Sequence, residues 1–322
     1  TYGPSFDPID YTTAGSYTVT APAGTYSFTA IGSGGGGAVT RNSQIANGQT
    51  GGNGQKITGQ FTLTAETTLT IYVPSGGTAG ISTTTNASTT GSPAGGRFGN
   101  SGWNYGRGGD GGSFNTTSTE SASGAGGGGA AQIWIGSTPI VIASGGGGAG
   151  GADQGTDGNG GAGGNSLSST VGGNGQDGYE NTSYGGAYGR GGGGAGNTQA
   201  GTAGQNGNGG NNNDGIAGTG PITNTNANGG NGGGGSNQNA GMGGGGGGGY
   251  YSGGGGGASD GGQYSAGGGG GAGSSYLNPS YVNSSTLSEE SNGGAGTYVS
   301  GGTNTPTSAT SGGGGRIAIS AA

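Results

Sequence analysis

The chain is predicted to be an all-β protein in which antiparallel strands merge with a bundle of polyglycine-II helices, without significant α-helix. Two observations predict this fold. Glycine makes up 100 of the 322 residues, and many glycines recur at every third position. Short segments between the glycine tracts instead alternate apolar and polar residues with a period of two, which is typical of half-buried strands.

The spacing of three is the repeat of an extended left-handed helix that makes no hydrogen bonds within itself. The tracts 155–164, 172–178 and 201–210 have this spacing. Since backbone amides need partners, such helices must be surrounded by other chain segments, and only glycine lets backbones approach closely. The bundle is therefore predicted mainly over 145–273. A disordered chain is the alternative, because only 25 % of the residues are hydrophobic and 6 % are charged.

Period-two alternation predicts strands in four regions, around 17–31, 56–74, 131–143 and 316–320. Residues 1–16 are expected to be an irregular lead-in, and 17–322 to form a single glycine-rich domain. The first and last strands, Tyr17–Thr20 and Arg316–Ser320, are expected to be neighbours that close a sheet. The individual segments are Tyr17–Thr20, Thr25–Ile31, Lys56–Thr64, Thr67–Pro74, Ala131–Ile135, Pro139–Ala143 and Arg316–Ser320, with a weaker signal at 276–282.

Composition excludes several classes of function. The chain has no cysteine and no histidine, which excludes disulfides, cysteine nucleophiles and serine–histidine pairs. Its net charge of −7 argues against a nucleic-acid partner. No apolar run approaches the length of a membrane span. A composition rich in Thr, Ser and Asn but poor in Lys is typical of a secreted, cell-surface or virion-surface protein.

Six blocks of the chain, in order, resemble one known family, over about Tyr17–Ala322. The family is the glycine-rich domain of the anaplastic lymphoma kinase and leukocyte tyrosine kinase receptors, also found in many microbial and viral surface proteins. The order of the blocks is specific, although each block alone is weak. The blocks are 23–32 (AGTYSFTAIG), 60–73, 126–134 with 140–148, 243–257 with its Tyr-Tyr pair, 267–276 (GGGGGAGSSY) and 312–319.

The resemblance implies a β-sandwich of jelly-roll, tumour-necrosis-factor-like shape merged with a polyglycine-II bundle. The receptor domains carry cysteines, whereas this chain has none. No kinase and no ligand-binding surface can be transferred to this sequence, so the resemblance implies no receptor signalling.

One segment, 172–180, matches a calcium-binding nonapeptide repeat. Asp153, Asp157 and Asp177 could supply oxygen ligands there. That repeat normally works in tandem and occurs here once, so these carboxylates are expected to be solvated at turns, and no metal or other cofactor is predicted.

Two pairs of carboxylates are close in sequence, Glu289 with Glu290 and Asp7 with Asp10. Glycosidase chemistry needs two carboxyl groups facing each other across a cleft. Neither pair is expected to lie on a rigid strand. The chain is therefore predicted not to be an enzyme.

Aromatic side chains within the glycine-rich stretches are the main binding candidates: Trp103, Tyr105, Tyr250, Tyr251 and Tyr264. Rigid aromatic rings on a polar background give contact area at low entropic cost. The alternative is that these rings cover small apolar seams of the bundle, because few other large residues are present.

Three functions remain open. The first is a non-enzymatic structural subunit of an extracellular or virion-surface assembly, such as a filament, an appendage or a capsid decoration. Its partners would be copies of itself or other surface proteins. The second is an adhesin whose aromatic loops bind a host glycan or receptor protein. The third is ice binding through a flat Thr/Ser/Asn face.

Overall fold

A computed structural model describes most of the chain, and within the described residues it contains strands and no α-helix. The described residues are 6–40, 49–83, 92–99, 101–113, 121–152, 163–167, 169–178, 188–205, 214–222, 227–234, 241–259, 266–298 and 307–322. The strands are β1 (Ile9–Tyr11), β2 (Gly15–Ala21), β3 (Gly24–Ile31), β4 (Val39–Thr40), β5 (Gly54–Leu63), β6 (Thr67–Val73), β7 (Ile81–Thr83), β8 (Ser121–Ala122), β9 (Ala131–Ile135), β10 (Thr138–Ala143), β11 (Tyr276–Leu277), β12 (Val282–Glu290), β13 (Thr297–Tyr298), β14 (Thr307–Ser308) and β15 (Arg316–Ala321).

Ten strands form two five-stranded antiparallel sheets. Sheet A has the order β1-β15-β3-β5-β12, and sheet B has the order β11-β10-β9-β6-β2. Side chains from both sheets share one buried apolar cluster, which includes Phe28 and Phe61 of sheet A and Leu69, Ile71 and Ile133 of sheet B. Two sheets whose inner faces meet in one core form a β-sandwich, so the predicted all-β sandwich is confirmed.

The period-two signal located the sandwich strands closely. Each of the seven clearly patterned segments is a strand, with bounds that differ from the prediction by at most two residues at either end. In β6 the apolar Leu69, Ile71 and Val73 are buried, while the residues between them are more exposed. Ile140–Ala143 is buried throughout, because β10 is covered on both faces.

Three predictions about strands are wrong. The lead-in is not irregular where it is described, because β1 pairs with β15 and Gly15 opens β2. Tyr17–Thr20 is not a neighbour of the last strand, since it pairs with β6 in sheet B. The weak signal at 276–282 covers two strands, and the second, β12, continues to Glu290. Its Ser, Thr and Glu side chains are mostly exposed, so no apolar alternation marked it.

The glycine segments extend from one end of the sandwich. Residues 32–38 follow β3, 49–53 precede β5, and 144–151 follow β10. Hydrogen bonding continues across this boundary, since Gly32 N donates to Gln55 O at 2.8 Å and Gln55 N donates to Ser144 O at 2.9 Å. The bundle is therefore a direct extension of the strands.

The central glycine helix, residues 243–248, shows how the bundle is bonded. Its successive amides donate to three different segments in turn, and every third residue returns to the same segment. Gly243 and Gly246 donate to 233 and 230, Gly244 and Gly247 to 268 and 271, and Gly245 and Gly248 to 125 and 128. A period of three with no internal bond is the hydrogen-bonding pattern of a polyglycine-II helix.

The carbonyl groups of the central glycine helix face three further segments. They accept from residues 109 and 112, 145 and 148, and 253 and 256. The helix is thus surrounded by six neighbours, three accepting and three donating, and residues 241–249 are all buried. The segment 267–273 is surrounded in the same way, donating to 145–151, 254–257 and 173–176.

The spacing of glycines along a segment indicates how deeply that segment is buried in the bundle. The central glycine helix is glycine at every position. In the outer segment 172–178, Gly172 and Gly178 are buried whereas Asn174, Gln176 and Asp177 are exposed. A methyl group on Gly175 would overlap the carbonyl of Gly269, so the glycine in each triplet faces inward.

The bundle also includes segments outside its predicted main part, 145–273. Segments before residue 145 and after residue 273 also supply its helices, among them 32–38, 106–112, 122–129 and 309–313. The sequence pattern missed them because these segments are too short to show several triplets.

Candidate functional site

An aromatic cluster covers the outer face of sheet B. It comprises Tyr72, Trp103, Tyr105, Trp134, Tyr250, Tyr251 and Tyr276. Tyr72, Trp134 and Tyr276 come from strands β6, β9 and β11, and the other four come from turns that fold back onto the sheet.

Stacking holds Trp103 on the sheet. Its ring lies 4.2 Å from that of Tyr72 at an interplanar angle of 11°, and edge-on to Trp134 at 5.6 Å. Tyr105 meets Trp103 edge-on at 4.5 Å. Offset and edge-to-face pairs of this kind add about 0.5–1.5 kcal/mol each beyond burial, so the rings fix the turn as well as expose a surface.

Tyr250 and Tyr251 occupy the turn between two glycine helices at the sandwich end of the bundle. The Tyr250 ring stacks on Tyr276 at 4.4 Å and meets Tyr251 edge-on at 5.3 Å. Burial raises the pKa of the Tyr250 hydroxyl, with the neighbouring Tyr276 and Tyr251 adding to the effect. Burial likewise raises the pKa of Tyr72. Both phenols stay neutral hydrogen-bonding groups at ordinary pH.

Polar atoms within the aromatic cluster are only partly paired. Trp134 Nε1 donates to Gln132 Oε1 at 2.9 Å, and Gln132 Nε2 donates to Tyr105 O at 2.7 Å. Trp103 Nε1 and Asn228 Oδ1 are buried without a hydrogen-bond partner among the described residues. Partly exposed aromatic rings suit apolar faces of sugars or peptide side chains better than charged ligands, whereas the buried N–H of Trp103 is closed to a ligand.

The structure brings four of the five predicted aromatic residues into one cluster and leaves the fifth, Tyr264, outside the described residues. Sequence reasoning missed their partners Tyr72, Trp134 and Tyr276. The signal for Tyr72 was present, because the alternation in β6 puts it on the face opposite Ile71. Which distant turns fold onto that face could not be read from any local pattern.

The calcium candidates are not assembled into a site in the described part of the chain. Asp153 and Asp157 lie outside the described residues. Asp177 is exposed, and its Oδ1 accepts a hydrogen bond from Gly191 N at 2.7 Å. Asn174 makes the equivalent bond to Gly194 N. Asp177 thus joins two glycine helices, as its uncharged neighbour does, and no cluster of three potential metal ligands occurs among the described residues.

The carboxylate pairs correct another expectation, because Asp10 and both glutamates lie on strands. Asp10 lies on β1 and accepts two 2.8 Å hydrogen bonds from Arg316, which lower its pKa. Glu290 lies on β12, 3.5 Å from Lys56, and Glu289 accepts from Asn53 at 3.3 Å. These contacts link strands or strand ends at the surface.

The outer face of sheet A is polar and uncharged at its centre. A shallow depression of about 480 Å³ runs across β3, β5 and β12. In register, Thr29, Thr58 and Thr286 form one cross-strand row, and Ser27, Gln60 and Ser284 form the next. This surface carries rows of Thr and Ser, but it is a depression and not a plane. Ice binding stays a prediction.

Within the described residues, no helix is long and apolar enough to cross a membrane. Comparison with models of protein families and with curated proteins gave no match.

Proposed function

We propose that the chain is a non-enzymatic structural subunit of an extracellular or virion-surface assembly. The observation that carries the proposal is the backbone core of the bundle, in which the central glycine helix is bonded to six neighbours. Because these bonds join segments from distant parts of the sequence, the bundle is cross-linked in every lateral direction and should be stiff. Stiffness that needs no disulfide suits a building block of a surface.

The distribution of charged groups supports a non-catalytic role. Asp10, Asp110 and Glu290 form ion pairs with Arg316, Arg97 and Lys56, each at least a quarter exposed in its side chain. Catalytic carboxylates are usually desolvated in a cleft and kept free for substrate. These three carboxylates instead hold surface elements together.

The proposed location follows from composition and from the resemblance to the glycine-rich domain family. A chain without cysteine is insensitive to the redox state of its surroundings. The polar Ser/Thr/Asn surface gives solubility with few charges. Family members of this kind occur on receptors and on microbial and viral surfaces, which favours the same placement here.

Immunogold electron microscopy tests the proposal. Antibodies against the purified chain should label unpermeabilised producing cells or their released particles, with a repeated spacing between gold particles. Preimmune serum provides the control. Labelling that appears only after permeabilisation, or that is random and sparse, would contradict a structural role at a surface.

An adhesin is the second candidate, favoured by the half-exposed rings of the aromatic cluster. Tyr250→Ala with Tyr251→Ala should then abolish binding to host cells or to a glycan array while the chain stays folded. The matched control is Tyr11→Ala with Tyr17→Ala, which removes another stacked pair, 4.0 Å apart, away from the cluster. Binding that survives the first double variant would exclude these two residues as the adhesive surface.

A further inference from the structure

Strand β12 presents the longest sheet edge in the described part of the chain. Sheet A ends in β1, with 3 residues, and in β12, with 9. Sheet B ends in β11, with 2 residues, and in β2, with 7. An unpaired edge displays free N–H and C=O groups and is a template for another strand.

The free edge of β12 is open in the described structure. Its strand pairing is with β5 alone, and residues 283–286 are four consecutive exposed positions. Natural edges are usually blunted by proline, charged side chains, β-bulges or short length. Residues 282–290 contain neither proline nor lysine. The register shift, between Val282 and Ser284, and the two glutamates lie at opposite ends of β12, so residues 284–288 are a regular, uncharged edge. The other long edge, that of β2, is shorter, with 7 residues against 9, and carries Tyr17, which stacks on Tyr11.

We propose that β12 pairs antiparallel with β12 of a second copy, joining two A sheets into one ten-stranded sheet. The inference rests on the proposed structural role, which it deepens by naming the contact between subunits. An antiparallel arrangement centred on Thr286 uses the regular part of the strand, residues 284–288. It places Thr286 opposite its own copy and Ser284 opposite Ser288.

The charges of β12 select this orientation and favour a second copy as the partner. In the antiparallel pair, Glu289 and Glu290 of each copy lie beside the start of the other strand, residues 282–283, so the acids of the two copies lie at opposite ends. A parallel pair would bring all four glutamates together, which is destabilising. The central positions are uncharged hydroxyl side chains, and Thr–Thr and Thr–Ser pairs across strands are favourable. The strand is thus complementary to itself.

Sedimentation velocity with a charge swap tests the pairing. The parent chain should dimerise reversibly with a Kd between about 1 µM and 1 mM, because a single strand edge is a small interface. Thr286→Lys and Thr286→Glu should each weaken the dimer roughly tenfold or more, since like charges would meet at the centre. An equimolar mixture of the two variants should restore dimers.

Thr18→Lys and Thr18→Glu on the exposed edge β2 are the matched controls and should leave dimerisation unchanged. Thr286→Cys gives an independent measurement, because the chain has no other cysteine and directly opposed Cβ atoms lie about 4.5–5.5 Å apart. Mild oxidation should cross-link this variant into a dimer, and should leave Thr18→Cys monomeric.

The inference would be overturned by a parent chain that is still monomeric at about 1 mM, the upper end of the expected range of Kd. It would also be overturned by a dimer that responds to Thr18 but not to Thr286, or by a mixture of charge variants that fails to reassociate. Surface labelling that persists without a β12 dimer would retain the proposed function and reject this contact. Absence of surface labelling on cells that produce the parent chain would reject the proposed function itself.

Discussion

The sandwich fills its interior with side chains, whereas the bundle fills its interior with backbone. Phe61, Leu69 and Ile133 are fully buried in the sandwich, where their apolar surface stabilises the fold. In the bundle the buried residues 243–249 are all glycine, and hydrogen bonds to six neighbours take the place of apolar contacts. The difference predicts that the two regions tolerate opposite kinds of substitution.

The largest effect is expected from adding one methyl group to the central glycine helix. Gly246→Ala would push its Cβ into the carbonyl of Gly253, so neighbouring backbones must separate and lose hydrogen bonds. We expect a loss of roughly 4–6 kcal/mol, from overpacking together with unsatisfied buried groups. Chemical denaturation measures the change.

Gly196→Ala is the matched control for that variant. A Cβ at Gly196 meets nothing closer than Gln199 Cγ at 3.5 Å, so alanine should be neutral or stabilising by about 0.4–1 kcal/mol. Equal effects at Gly246 and Gly196 would contradict close backbone packing.

In the sandwich, removal of volume should be the damaging change. Phe61→Ala should lower the free energy of unfolding by about 3–5 kcal/mol, because Phe61 is fully buried and stacks on Tyr26 at 5.5 Å. Phe61→Leu should cost less than half as much, since it keeps an apolar side chain there. A thermal melt that ranks the two variants in the reverse order would contradict the side-chain core.

A buried polar network joins the two regions and should show an intermediate effect. Gln55 Oε1 accepts from Ser275 Oγ at 2.6 Å, and Gln55 Nε2 donates to Leu167 O. Gln55→Ala should cost about 2–3 kcal/mol, because it leaves buried groups without partners. Gln60→Ala, at an exposed position of the same strand, should change stability by less than about 0.5 kcal/mol. Similar losses would show that the network does not couple the regions.

The smallest effect is expected at the surface ion pair of β1 with β15. Asp10→Asn should cost under about 1 kcal/mol, since the pair is exposed and screened by salt. The pKa of Asp10 is lowered by its hydrogen bond from Arg316. Its contribution is therefore complete above about pH 4 and is lost as the pH falls through the folded-state pKa.

Denaturation at pH 7 and at pH 2 measures that dependence, with Asp7→Asn as the control. The difference between parent and Asp10→Asn should shrink at the lower pH and in high salt. A difference that grows in acid would contradict the sign of the pKa shift.

The two regions also differ in how far the sequence predicted them. Alternation in β3, β5, β6 and β9 reports burial directly, because one face of each strand meets the core. Triplets such as 172–178 identified the helix type. They could not identify the six neighbours of the central glycine helix, since glycines carry no side chain to distinguish one partner from another.

The candidate surfaces were predicted in part, for the same reason. The aromatic residues Trp103, Tyr105 and Tyr250 stood out against glycine, yet their common location on sheet B depends on how the glycine helices turn. Strand β12 was missed because an exposed edge needs no apolar alternation. Its open side becomes visible only when the order of strands in sheet A is known.

Native-state hydrogen exchange of the glycine amides is the most direct test of a core made of backbone. The amides of residues 243–248 should exchange as slowly as those of the central strands β6 and β9, through global unfolding. Gly102, which is exposed, should exchange quickly in the same sample. Exchange of residues 243–248 at the rate of an unstructured glycine chain would contradict the packed bundle.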